Sequence, residues 1–157
     1  MNPEIKQCSE KKLIGISSSI NKNEHHKIAQ LWKQFMTRMR AIIDTDYKEK
    51  IAIQVFPKHT NAQNISEYTI WASMDVSNFD AIPKEFELFT IPEGKYAVFI
   101  HRGMNASETY QKIMTEWLPN SGYEIDNRPH YQVMGEKYKN GSPDSVEDFY
   151  VPIAKKI

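Results

Sequence analysis

The chain has 157 residues, 40% of them hydrophobic, enough to bury one sizeable core without disulfide or metal staples. Its 20 basic and 20 acidic residues cancel, so no long-range field recruits nucleic acid or an anionic membrane surface, and neither partner is expected. The single cysteine, Cys8, excludes an internal disulfide and a multi-cysteine metal site. No apolar run approaches the roughly 18 residues of a membrane span, and the start, MNPEIKQCSEKK, lacks the apolar stretch of a signal peptide, so a cytoplasmic location is expected.

Residues 1–11 read as a polar N-terminal tail and 12–157 as one domain. KKLIGISSSI (11–20) reads as a first strand, ending at the helix-start signal NKNE, where Asn21 or Asn23 is available as a cap. From Glu24 to about Ile43 the apolar residues Ile28, Leu31, Trp32, Phe35, Met36 and Met39 fall at the spacing of one helix face. KEKIAIQVF (48–56) and SEYTIWASMDV (66–76) alternate, which predicts two strands. In the first of these, Ile51, Ile53 and Val55 share one side, and Ala52, Gln54 and Phe56 share the other. The same order then recurs. GKYAVFIHRG (94–103) is a strand, and NASETYQKIMTEWLP is a helix with Asn105 and Glu108 at capping-box spacing and Tyr110, Ile113, Met114 and Trp117 on its apolar face. PHYQVM and EDFYVPI supply closing strands. NFDAIPKEFELFTIPEG (78–94) reads as an insertion that joins the two halves. The expected fold is α+β: a duplicated strand-helix-strand-strand repeat, about 12–77 and about 94–154, with two helices covering a mainly antiparallel sheet.

The standard signatures of chemistry are missing. His25, His26, His59, His101 and His130 form neither a HExxH pattern nor a set with cysteine, so no metal site is assigned, and His25 and His26 are expected to be solvated. HRGMNASET has one glycine between strand and helix, too few for a phosphate-cradling loop, and no GxSxG elbow occurs. Neither a cofactor nor a catalytic residue is assigned. Aromatic residues on polar strand faces remain. Trp71 is in step with Thr69, Ser73 and Asp75, Tyr150 points opposite to Phe149, Val151 and Ile153, and Gln132 points opposite to Tyr131 and Val133. Brought together, Trp71, Tyr150 and Gln132 would line a pocket with stacking faces and a few hydrogen-bonding groups. Phe56, Phe99 and Trp117 are further wall candidates, although Trp32 and Trp117 sit on apolar helix faces that ordinarily pack into a core.

KLIGISSSI, LWKQFM, YTIWASMDV, FTIPEGKYAVFIHRG, TEWLPNSGYEIDNRPHYQV and EDFYVPI, in that order, resemble the GyrI-like small-molecule-binding domain, the effector-binding domain of AraC-type and multidrug-responsive transcription regulators. The likeness runs from about Lys12 to Ile153. It implies paired repeats enclosing a hydrophobic cleft. Family members often hold lipophilic cations between aromatic rings and a buried glutamate, and the resemblance places that glutamate at the last position of RPHYQ, which here is Gln132. An amide offers only a dipole where a carboxylate would attract a cation, so a neutral, largely apolar ligand is expected, oriented by Gln132 and stacked on Trp71 and Tyr150. Glu136 has the same strand parity but lies about 13 Å further along, and reads as a rim or surface charge. The resemblance also covers hydrolases of cyclopropane-containing natural products, which depend on the missing glutamate, so binding is favoured over catalysis. A helix-turn-helix module, which regulators of this type carry, is not expected in this chain. The stand-alone member that names the family inhibits DNA gyrase, which makes a protein partner the alternative reading.

Overall fold

The computed structural model describes residues 2–42, 49–58, 60, 66–79, 82–139 and 141–157; the expected helix end at Ile43 and His59 lie outside them. In chain order the elements are β1 (Glu4–Cys8), β2 (Lys11–Asn21), α1 (His26–Ile42), β3 (Lys50–Val55), β4 (Glu67–Val76), β5 (Glu87–Ile91), β6 (Gly94–Arg102), α2 (Ala106–Lys112), β7 (Tyr123–Ile125), β8 (His130–Met134) and β9 (Val146–Lys155). A π-turn, Ile113–Trp117, and a 3-10 turn, Leu118–Asn120, continue α2. The expected duplication is present as β2-α1-β3-β4 and β6-α2-β8-β9, and every strand pairing is antiparallel.

The strand order β1-β6-β9-β8-β3-β4-β2-β5, with β7 added to β9, reads alike from either end. The two repeats meet along β3 and β8, where Ala52 faces Gln132 and Gln54 faces His130. Besides the short β7, two strands lie where the sequence suggested none. Residues 4–8, read as tail, form β1, and residues 87–91, read as part of an insertion, form β5. Each crosses to the other half: β1 precedes β2 but pairs with β6, while β5 precedes β6 but pairs with β2. Only Ser9 and Glu10 separate β1 from β2, and only Pro92 and Glu93 separate β5 from β6. At about 3.5 Å per residue so short a link spans about 10 Å, so the two borders of the sheet must approach each other and the sheet must curl.

Both faces of the curled sheet are therefore packed. Inside the curl, Leu13, Ile51, Ile53, Ile91, Tyr96, Val98 and Tyr131 form one core from both halves. Outside it, α1 lays Leu31, Phe35 and Met39 on Ile14, Ile16, Ile20, Ile70 and Met74. The second helical segment lays Ile113 and Met114 on Ala97, Phe99, Phe149 and Val151. Burial of each such side chain contributes about 1.5–3 kcal/mol, so these three clusters carry most of the driving force. Arg128 adds a polar tie. Its guanidinium bonds Asp126 at 2.9 Å and the carbonyls of Lys95 at 2.7 Å and Ile153 at 3.2 Å, and stacks 4.6 Å above the Tyr96 ring. Gly94 is what admits it, since a Cβ there would lie 2.1 Å from Nη1.

The helix starts depart from simple capping. Asn21 accepts from the Asn23 amide at 2.9 Å while Glu24 accepts from the Asn21 amide at 3.0 Å, a reciprocal turn just ahead of α1. Asn105 stands at the N-cap of α2 but makes no side-chain cap bond, so the capping-box spacing with Glu108 is not used. Gly103, at φ +101°, turns the chain from β6 into α2, a conformation that favours glycine. No helix among the described residues is long and apolar enough to cross a membrane.

Candidate functional site

Packing α1 over β2 and β4, and α2 over β6 and β9, leaves the central seam of β3 and β8 uncovered between the helices. A cavity of about 780 Å³ opens there, within the roughly 300–1,000 Å³ usual for small-molecule pockets. Ile28 and Trp32 of α1 form one wall, and Ala106, Tyr110, Gln111 and Thr115 from α2 and its π-turn form the other. Strand residues make the floor: Ala52, Gln54 and Phe56 of β3 and the segment after it, Tyr68 and Ile70 of β4, Gln132 of β8, and Glu147 and Phe149 of β9. Lys22 and His25, both exposed, stand at the rim.

At the centre of the floor Gln132 and Gln54 form a closed amide pair. Gln54 Nε2 donates to Gln132 Oε1 at 2.7 Å, and Gln132 Nε2 donates to Gln54 Oε1 at 2.8 Å. The two side chains lie diagonally across the seam, at matching places in the two repeats. Gln132 is thus neutral and already answered by a residue that the sequence did not single out. Beside it, His130 is fully buried and held neutral, its pKa pushed down to about 3 by burial and then by the Arg128 charge. The Tyr110 hydroxyl and its Nδ1 share a hydrogen bond at 2.9 Å, and burial raises the phenol far above its ordinary range. Phe56 meets the His130 ring edge-on at 5.0 Å and Tyr68 at 5.0 Å, fixing that corner of the cavity.

Glu147 differs from every other polar group in the floor. It is half-buried and makes no hydrogen bond or ion pair with any described residue. Burial raises its carboxyl to about 7. Glu136, by contrast, is exposed in the turn after β8 and is no part of the cavity lining.

Of the residues expected to form a site, Gln132 and Phe56 face the cavity together. Trp71 borders it, but shares the inner face of the sheet with its cross-strand partner Ile53 and packs its ring on Phe89 at 4.7 Å. Tyr150 is not brought there. It stacks on Tyr131 at 4.5 Å inside the curl, directly opposite to it in register, while Gln132 pairs with Phe149 on the outer face. Phe99 and Trp117 contact each other at 5.1 Å in the core beneath the second helical segment. Alternation had separated Gln132 from its neighbours correctly along β8, but a single strand cannot tell which face of β9 shares its side.

The chain matches the family described as "Cass2: Integron-associated effector binding protein" over residues 4–153. It is 26% identical over 129 residues to the transcriptional regulator BrlR of Pseudomonas aeruginosa, covering 80% of this chain and 46% of that protein, so it spans about half the length of that relative. Among solved structures, SAV2435 bound to tetraphenylphosphonium superposes with a TM-score of 0.71 at 15% identity, covering 98% of this chain and 94% of the other. The integron cassette protein from the mobile metagenome of Vibrio cholerae gives 0.69 at 12% identity, covering 98% and 96%. The EcmrR C-terminal domain gives 0.67 at 14%, covering 99% and 98%. At these identities the structures establish a shared fold, and the match over residues 4–153 establishes that this chain belongs to the integron-associated effector binding protein family.

Proposed function

We propose that the protein binds a small, largely apolar molecule in the cleft between its two repeats. The observation that carries this reading is the cavity of about 780 Å³, lined mainly by aromatic and aliphatic side chains with a smaller set of polar groups. Trp32, Phe56, Tyr68 and Tyr110 would supply flat contact surfaces, each able to add about 0.5–1.5 kcal/mol beyond area burial. Gln132 would present whatever hydrogen-bonding capacity the amide pair leaves over. The tetraphenylphosphonium complex of SAV2435, an aromatic molecule held by the same fold, supports the choice of ligand type.

The test is a thermal-shift screen of the purified chain against neutral aromatic compounds and aromatic cations, repeated on Ala52→Trp, which places an indole on the cavity floor. A ligand at about 100 times its Kd should stabilise the parent by about 2.7 kcal/mol. The variant should fold and lose the shift. Equal shifts in both proteins would place binding elsewhere.

A further inference from the structure

The two amides at the centre of the cleft floor, one from each repeat, act as a single group with a pattern of its own. In the Gln54–Gln132 pair each amide gives one N–H and receives one, at 2.7 and 2.8 Å. A primary amide has two N–H groups and an oxygen with two lone pairs, so each residue keeps one donor and one acceptor position. The N–H used in a reciprocal pair lies on the same side as its own oxygen. The second N–H leaves the nitrogen at the trigonal angle, toward the flank of the pair, where the second lone pair of the partner's oxygen also points. Each flank therefore offers a donor, Nε2 of one residue, next to an acceptor, Oε1 of the other. Neither amide makes another hydrogen bond to a described residue, and both line the cavity. Their neighbours along the row are apolar. Gln54 meets Ile70 across β4 and Gln132 meets Phe149 across β9, both buried, while the small Ala52 opposite Gln132 on β3 leaves room over the pair.

A donor and an acceptor side by side in an apolar cavity are matched by a ligand that offers the reverse order, an acceptor beside a donor. We propose that the Gln54–Gln132 pair is the specificity element of the cleft, and that it selects an uncharged, largely apolar molecule with a cis-amide edge, a lactam or cyclic imide. The ligand C=O accepts from Nε2 of one glutamine, and its N–H donates to Oε1 of the other. This rests on the cleft being the ligand site and specifies its chemistry. The pair is fixed before binding, since turning either amide breaks two hydrogen bonds, so little ordering is left for the ligand to drive. It carries no net charge and holds donors and acceptors in equal number. A cation meets the N–H groups with the wrong sign, and an ester or ketone leaves an oxygen of the pair without a donor. Glu147, the other acceptor of the floor, lies about 7 Å further along the same face, too far to share the same edge.

Three probes of one shape separate these contributions: the lactam 4-phenyl-3,4-dihydroquinolin-2-one, its N-methyl derivative and the lactone 4-phenylchroman-2-one. In calorimetric titration the lactam should bind about 10-fold more tightly than either of the others, the effect of one hydrogen bond to an acceptor otherwise left open. In the double variant Gln54→Met with Gln132→Met the three probes should bind alike, and their binding shows that it is folded. In Glu147→Leu the lactam should keep its advantage. A readout that needs no variant is the side-chain amide resonances of Gln54 and Gln132 in the parent, which should move when the lactam binds. Equal binding of all three probes by the parent, abolished in Ala52→Trp, would overturn the role of the pair and leave the cleft as the site. So would unmoved resonances, a lactam preference that survives in the double variant, or one that disappears in Glu147→Leu. Binding that ignores Ala52→Trp, or no binding of any probe, would overturn both.

Discussion

Glu147 holds its proton more tightly in the folded chain than a free carboxyl does. Its pKa of about 7 stands above the 4.5 of an unperturbed glutamate, and the cause is burial. Between those values the folded state keeps a proton that the unfolded chain releases, so stability falls as pH rises through the interval. Below about 4.5 both states are protonated and nothing is lost. Glu147→Gln should therefore be more stable than the parent at pH 8 by about 2 kcal/mol, and indistinguishable from it at pH 4. Urea denaturation at the two pH values measures this, and a variant no more stable than the parent at pH 8 would mean that the carboxylate is better solvated than its burial implies. The sequence hid this residue in plain view. Acids at the start of EDFYVPI resemble any solvated strand end, and only the placement of β9 beside β8 turns one of them toward a cavity. Trp71 shows the converse: it borders the cavity, yet its ring packs on Phe89 inside the curl. Its polar neighbours suggested an open face, but Ser73 is fully buried and donates to the Ile51 carbonyl at 2.7 Å, so a hydroxyl on that face is no sign of water.

Among the elements, α2 is tied to the sheet by two side-chain hydrogen bonds, Thr109 to His101 on β6 and Tyr110 to His130 on β8. The Tyr110 hydroxyl reaches across to the buried Nδ1 of His130 on β8, whereas the aliphatic contacts of the segment, through Ile113 and Met114, are to β6 and β9. Tyr110→Phe leaves an imidazole nitrogen buried without its hydrogen-bond partner, at a cost of about 1–3 kcal/mol. Equilibrium denaturation should show that loss, and hydrogen exchange should speed up most in residues 106–117. A neutral result would mean that His130 finds another partner. The π-turn at Ile113–Trp117 widens the helix just after Tyr110, with Gln111 and Thr115 left on the cavity side and Ile113 and Met114 on the sheet. Elements with strong periodicity were legible. The alternation of β3, β4 and β6 and the apolar stripe of α1 follow directly from burial of one face or one helix side. The strands β1 and β5 were not legible, because their burial comes from partners in the other half. EIKQC exposes most of its side chains, and ELFTI sits among prolines and charges that punctuate a loop. The cleft was legible as a class of site through the resemblance, but its floor was not, since Gln54 acquires meaning only opposite Gln132.

At the scale of the molecule, the exchange of β1 and β5 binds the halves together. Removal of residues 2–9 would strip β6 of the five register contacts from Glu4 to Cys8 and expose the edge beside Tyr96. Ladder bonds net about 0.5–1.5 kcal/mol each, so the truncated chain should lose several kcal/mol and melt at lower temperature, still in one cooperative transition. Two separate transitions would mean that the halves are independent without the arm. The arms also govern the cleft, though they do not touch it. The helices stand on the outer side of the curl, so tightening the curl splays them apart and flattening it draws them together. Ser9–Glu10 and Pro92–Glu93 fix how far the two borders can separate. They act as the stops of a caliper, and the spacing of the jaws is set by two short links on the far side of the sheet.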